Sequence, residues 1–147
     1  MSAAGQVLIG ELGLARLRAR GWRPAAVGGL TLGADPVAYA IAAASHRAGH
    51  AIDAFTVRKQ PKQHGTARRI EGCFTPGMAV VVIEDVITTG QSASEAIRVL
   101  QGEGGHVLGV LAVVDRGEGG RAMLEAAGFG VEALFPAHAL GLDADGR

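Results

Sequence analysis

Near the start of the chain the apolar residues Val7, Leu8, Leu12, Leu14 and Leu17 recur at mostly helical spacing. This predicts a helix over residues 5–20, ended by Gly21 and Pro24. A short apolar run at 25–29, stopped by glycines, predicts a strand. Asp35-Pro36 then opens an Ala-rich helix over 37–48, with Asp35 as N-cap and proline in the first turn. A second strand fits 52–57. Residues 58–72 are polar, basic and without either period, which predicts a long mobile loop. The unbroken run Ala79-Val80-Val81-Val82-Ile83 has the composition of a strand buried on both faces of a parallel sheet. A helix capped by Ser92 or Ser94 and reaching about Gln101 follows, then a strand over 107–114, a helix over 118–127 before Gly128, and a last strand over 131–135.

Strands alternating with helices at this spacing imply right-handed crossovers and an α/β fold with a mostly parallel central sheet of about five strands flanked by helices. Ligands of such sheets bind at the carboxyl ends of the strands. Neither an internal repeat nor a linker interrupts the pattern, so residues 1–147 are expected to form a single domain with a frayed tail from Gly141 to Arg147. At 48% hydrophobic and 19% charged, the composition is globular. No apolar run approaches the roughly 20 residues of a membrane span, and the start MSAAGQVLIGELG has no basic stretch leading into an apolar one. These features predict a soluble, cytoplasmic protein with no membrane partner. Fourteen basic and fourteen acidic residues cancel, which argues against nucleic acid as a partner and makes any anion site local. The single Cys73 excludes an internal disulfide and a cysteine-based zinc cluster.

Candidate chemistry begins where the buried strand ends. Glu84 and Asp85 are adjacent carboxylates for which a buried strand has no structural use, and Val86, Ile87, Thr88, Thr89, Gly90, Gln91 and Ser92 form a hydroxyl-rich turn leading into a helix. Such a turn can direct backbone N–H groups and hydroxyls at a phosphate, with the positive end of the helix dipole behind them. The two acids, a few residues earlier, can accept hydrogen bonds from sugar hydroxyls. A plain strand end with a polar turn is the bland alternative; the whole string argues against it.

At these residues the chain resembles the type I phosphoribosyltransferases, whose hallmark is an apolar strand, two acids and a Thr/Gly/Ser turn. The resemblance implies that Glu84 and Asp85 hold the ribose hydroxyls of 5-phosphoribosyl-1-pyrophosphate and that residues 86–92 hold its 5-phosphate. A second segment narrows the family. Arg58-Lys59-Gln60-Pro61-Lys62-Gln63-His64-Gly65 sets three cations and a histidine in an otherwise neutral chain. It is similar to the catalytic loop of orotate phosphoribosyltransferases, with Arg58, Lys59, Lys62 and His64 at the matching positions. Together with Asp85 these are the implied catalytic residues. In that family the loop closes over the neighbouring subunit's active site, which implies a homodimer with the loop acting in trans. Thr31, Leu32 and Gly33, within Gly28 to Pro36, resemble the family's pyrophosphate-binding turn, although many members carry lysine where this chain has Leu32. Arg116 matches the arginine that holds the orotate carboxylate, and a guanidinium fork suits that planar anion. Thr88 is the second implied orotate contact, while Asp115 is unassigned.

The implied reaction joins orotate to the phosphoribosyl group, giving orotidine 5-monophosphate and pyrophosphate in pyrimidine biosynthesis. Mg²⁺ would be held mainly by substrate and water, with no direct protein ligand. The family's N-terminal segment, which supplies a lysine and aromatic contacts to orotate, lies outside this sequence, so orotate is expected to bind more weakly than phosphoribosyl pyrophosphate. Two alternatives stand beside this reading: transfer to another nucleobase, and a catalytically weak phosphoribosyl-pyrophosphate-binding module. His46, His50, His106, His138 and Cys73 lack ligand or nucleophile spacing and are expected to be structural, and Trp22 to be a packing residue beside Pro24.

Overall fold

The computed structural model describes residues 1–61 and 68–141. Its elements follow the chain as α1 (Ala3–Ala19), β1 (Ala26–Leu30), α2 (Ala34–Arg47), β2 (Asp53–Val57), β3 (Ile70–Gly72), β4 (Ala79–Ile87), α3 (Gln91–Gly102), β5 (His106–Asp115), α4 (Gly120–Ala126), β6 (Val131–Pro136) and a closing 3₁₀ turn, Ala137–Leu140. The strands form one sheet in the order β3-β2-β1-β4-β5-β6. Every pairing is parallel except β2 with β3. β1 and β4 lie side by side at the centre, and the chain winds outward from them in both directions. That reversal of strand order is where an open α/β sheet leaves a crevice at its carboxyl edge.

The buried run of β4 explains why it carries no alternation. Val80 and Val82 pack with Ala96, Ile97 and Leu100 of α3 on one face. Val81 and Ile83 pack with Leu17 of α1 and with Val37 and Ile41 of α2 on the other. Both faces are covered, so every position must be apolar.

Five expectations need correction. The sheet has six strands rather than five, because residues 70–72 of the segment expected to be a loop add an antiparallel edge strand, with Val57 opposite Ile70 and Phe55 opposite Gly72. Three residues are too few for alternation to reveal a strand. Asp35 is not the N-cap of α2; the helix starts at Ala34 behind Gly33, which leaves the Asp35 carboxylate free for other partners. Neither Ser92 nor Ser94 caps α3. Gly90 does so, at φ 79°, because the tight exit from β4 needs a left-handed residue and only glycine adopts that conformation without cost. Finally, β4 continues to Ile87, so Glu84 and Asp85 lie within a strand and not beyond its end. The helix expected over 118–127 also shortens to α4.

Candidate active site

Because successive strand residues point to opposite faces, Glu84 and Asp85 leave β4 in different directions. Glu84 turns to the α3 side, where residues 86–93 curl around it to enclose a cavity of about 210 Å³. It is 7% exposed, and its Oε1 has no hydrogen-bond partner among the described residues. Burial, and then the neighbouring Asp85 charge, push its carboxyl up from 4.5 to about 8. Desolvation disfavours the charged form, and a like charge beside it adds to that effect.

Asp85 turns to the α2 side and is exposed. Its Oδ1 accepts from the Val86 backbone N–H at 2.8 Å. A Cβ on Gly33 would lie 2.7 Å from Asp85 Oδ2, so glycine is what lets the β1–α2 turn come this close to the acid. Through that contact the Thr31-Leu32-Gly33 turn, whose Thr31–Leu32 peptide is cis, adjoins the acidic pair. The turn borders a second cavity of about 760 Å³, lined also by Asp35, Tyr39, Thr56, Arg58, Lys59 and Glu71. The structure thus gathers Thr31, Leu32, Arg58 and Lys59 around one cavity and Glu84 with residues 86–92 around another. Asp85 and Gly33, which line neither cavity, adjoin residues of each, Gly33 following Leu32 and Asp85 following Glu84.

Arg116 stands apart. Its backbone N–H donates to Ile87 O at 3.0 Å, which brings the end of β5 level with the end of β4. Its guanidinium pairs with Glu118 at 3.0 Å and lines neither cavity. Lys62 and His64 lie outside the described residues. Asp115, left unassigned from sequence, braces the turn after β5: it accepts from Gly117 N at 2.9 Å and Arg121 Nε at 2.8 Å. Burial alone would raise its carboxyl, but those two donors and the Arg121 charge outweigh it and hold the group below its ordinary range. Trp22 packs against Gly109 and Gly130 rather than facing the site.

Sequence reasoning missed a hydroxyl–carboxylate chain in the larger cavity. Thr31 Oγ1 and Thr56 Oγ1 donate to the two oxygens of Asp35 at 2.8 and 2.9 Å, and Tyr39 lies 3.1 Å from Thr56 and donates to it. The one available signal was Thr56, a polar residue between the apolar Phe55 and Val57.

The acidic stretch of β4, the glycine-and-hydroxyl turn after it and the larger cavity beside Thr31, Arg58 and Lys59 lie at the switch point of a doubly wound sheet, where folds of this kind bind their ligands. No family profile matches the chain. The orotate phosphoribosyltransferase of Aquifex aeolicus (strain VF5) is 53% identical over 114 residues, covering 78% of this chain and 62% of its own length. That of Mycobacterium leprae (strain TN) is 48% identical over 135 residues, covering 92% of this chain and 73% of its own. The solved Mycobacterium tuberculosis H37Rv orotate phosphoribosyltransferase in complex with 5-phospho-alpha-D-ribosyl 1-diphosphate superposes with a TM-score of 0.79 at 45% identity, covering 92% of this chain and 75% of that one. The chain belongs to the orotate phosphoribosyltransferase family. It spans 62–66% of the length of the first curated relatives it matches.

Proposed function

We propose that this chain takes the 5-phosphoribosyl group of phosphoribosyl pyrophosphate to orotate, forming the bond from ribose C1 to orotate N1 and releasing pyrophosphate. The observation that carries the reading is the contact of Gly33 with Asp85, which sets the turn bordering the cavity of Arg58 and Lys59 against the strand whose Glu84 and following hydroxyl-rich turn line the other cavity. The M. tuberculosis relative solved with this sugar phosphate supports it.

In this reading residues 86–92 bind the 5-phosphate through backbone N–H groups, with the twelve-residue α3 dipole behind them. Glu84 and Asp85 accept from the ribose hydroxyls, one from each face of β4. Thr31, Leu32 and Gly33 carry the pyrophosphate, and Arg58 and Lys59 neutralise the charge that develops on it as the C1–O bond breaks. Lys62 and His64 join them in the proposal. Thr88 and Arg116 hold orotate, which requires Arg116 to exchange Glu118 for the orotate carboxylate.

Among the described residues no group of three or more His, Cys, Asp or Glu side chains could hold a metal. That fits Mg²⁺ held mainly by substrate oxygens and water, with the Asp85 carboxylate the hard charged oxygen nearby. When bound, the ion supplies charge neutralisation between pyrophosphate and ribose. We also propose one domain, a cytoplasmic location, and a homodimer in which the basic segment serves the partner's site; no nucleic acid or membrane is involved. No helix among the described residues is long and apolar enough to cross a membrane.

The direct test is a panel of orotate, uracil, adenine and hypoxanthine with Mg²⁺ and phosphoribosyl pyrophosphate, read as pyrophosphate release and nucleotide formed. Of the four bases only orotate is expected to give nucleotide, and at a low rate because it binds weakly; turnover with another base in its place would overturn the assignment. Gly33→Ala is expected to leave thermal stability nearly unchanged, because the Cβ meets only the movable end of Asp85. Displacing that carboxylate should weaken phosphoribosyl-pyrophosphate binding by about 1 kcal/mol. Calorimetry finding full affinity would uncouple Gly33 from the ribose site. Trans action predicts that inactive Lys62→Ala and Asp85→Asn chains regain activity when mixed, since one of the two hybrid sites is intact. Proven subunit exchange without recovery would confine the basic segment to its own subunit.

A further inference from the structure

Arg69 belongs to none of the groups considered so far, yet four hydrogen bonds hold its guanidinium. Its Nε and Nη2 donate to the Arg58 carbonyl at 3.0 and 2.8 Å, and Nη2 also donates to the Lys59 carbonyl at 2.8 Å. In return the Arg58 backbone N–H donates to Arg69 O at 2.7 Å. The same guanidinium pairs with Glu95 in the second turn of α3. Its side chain is only 17% exposed.

We propose that Arg69 is a positioning residue for the pyrophosphate side of the site, fixing where Arg58 and Lys59 deliver their charge. The proposal rests on the phosphoribosyl-pyrophosphate reading above. One planar fork takes two successive carbonyls, so the backbone at 58–59 is held with both carbonyls on Arg69 while both side chains line the larger cavity. Arg58 Nη1 reaches Glu71 at 3.1 Å while its side chain stays 41% exposed, so this guanidinium is open to an anion in the cavity. The Glu95 contact ties the arrangement to α3, whose N-terminus faces the proposed 5-phosphate turn. Arg69 therefore sets the spacing between the cations for one phosphate group and the helix for the other. An ammonium cannot replace it, because the fork geometry makes the two-carbonyl grip.

A purely structural role, bracing the edge strand β3, would weaken every ligand together or lower stability alone. A positioning role is selective. The test is calorimetry of Mg²⁺–pyrophosphate binding in the presence of saturating ribose 5-phosphate, which keeps the phosphate turn filled, alongside ribose 5-phosphate binding alone. For Arg69→Gln we expect pyrophosphate affinity to fall about tenfold or more while ribose 5-phosphate affinity stays unchanged, with only partial rescue by Arg69→Lys. Glu95→Gln, on a half-exposed helix position and safe for folding, should show the same selectivity to a smaller degree, and it carries the test if Arg69→Gln does not fold. Unchanged pyrophosphate binding in both variants, or equal loss of both ligands, overturns the proposal. Absence of pyrophosphate binding by the unmodified chain overturns the reading of the cavity itself, and the proposal with it.

Discussion

Raising the pH from 4.5 to 8.5 is expected to remove on the order of 4 kcal/mol of stability through Glu84 alone, and Glu84→Gln to abolish that loss. The carboxyl ionises at its ordinary 4.5 in the unfolded chain and at about 8 in the folded one, and each tenfold change in proton affinity is worth about 1.4 kcal/mol. Below 4.5 the group is neutral in both states and costs nothing. Between the two values the unfolded chain ionises while the folded chain keeps its proton, so the folded state binds more protons and stability falls with pH. Above about 8 both are ionised and the deficit stays constant. Urea unfolding of the two proteins at pH 4.5, 6 and 8.5 reads the effect as a difference in which contributions common to both cancel. Parallel pH profiles would mean that Glu84 is not held neutral. The same burial has a functional consequence: near neutral pH the unliganded site holds Glu84 protonated, and ligand hydroxyls that donate to it must favour proton release.

Asp85→Asn is expected to weaken Mg²⁺-dependent phosphoribosyl-pyrophosphate binding by about 1.5–3 kcal/mol, roughly tenfold to a hundredfold. The amide keeps the volume beside Gly33 and can still accept the Val86 N–H, so thermal stability should hardly move. What it loses is a charged acceptor held beside the β1–α2 turn at Gly33. Calorimetry returning the unmodified affinity would remove Asp85 from the ribose site.

The parts of this molecule legible in its sequence are those written in contiguous residues. Val80 to Ile83 announce a strand covered on both faces, and the acids and hydroxyls that follow fall on one strand and one turn, so composition and order suffice. β3 was hidden because three residues inside a basic, polar stretch carry no period. Asp35 was misjudged because the string Asp-Pro before an alanine-rich run is a good helix start by local rules; its carboxylate instead meets Thr31 and Thr56 from two other elements. Arg69 was one more charge in a charged segment until the fold brought Glu95 to it from α3. Misses of this kind share a cause: the partner lies 21 or 26 residues away in sequence, and no local pattern encodes it.

The central claim is that the cavity at the end of β4 and the larger cavity beside the β1–α2 turn form one site for phosphoribosyl pyrophosphate. Backbone amide chemical shifts followed during titration with this compound and Mg²⁺ test that most directly. Saturable changes concentrated at residues 31–33 and 84–92, and extending to Arg58 and Lys59, are the predicted result. No saturable change, or changes confined to another part of the surface such as the region around Trp22 and His50, would contradict it.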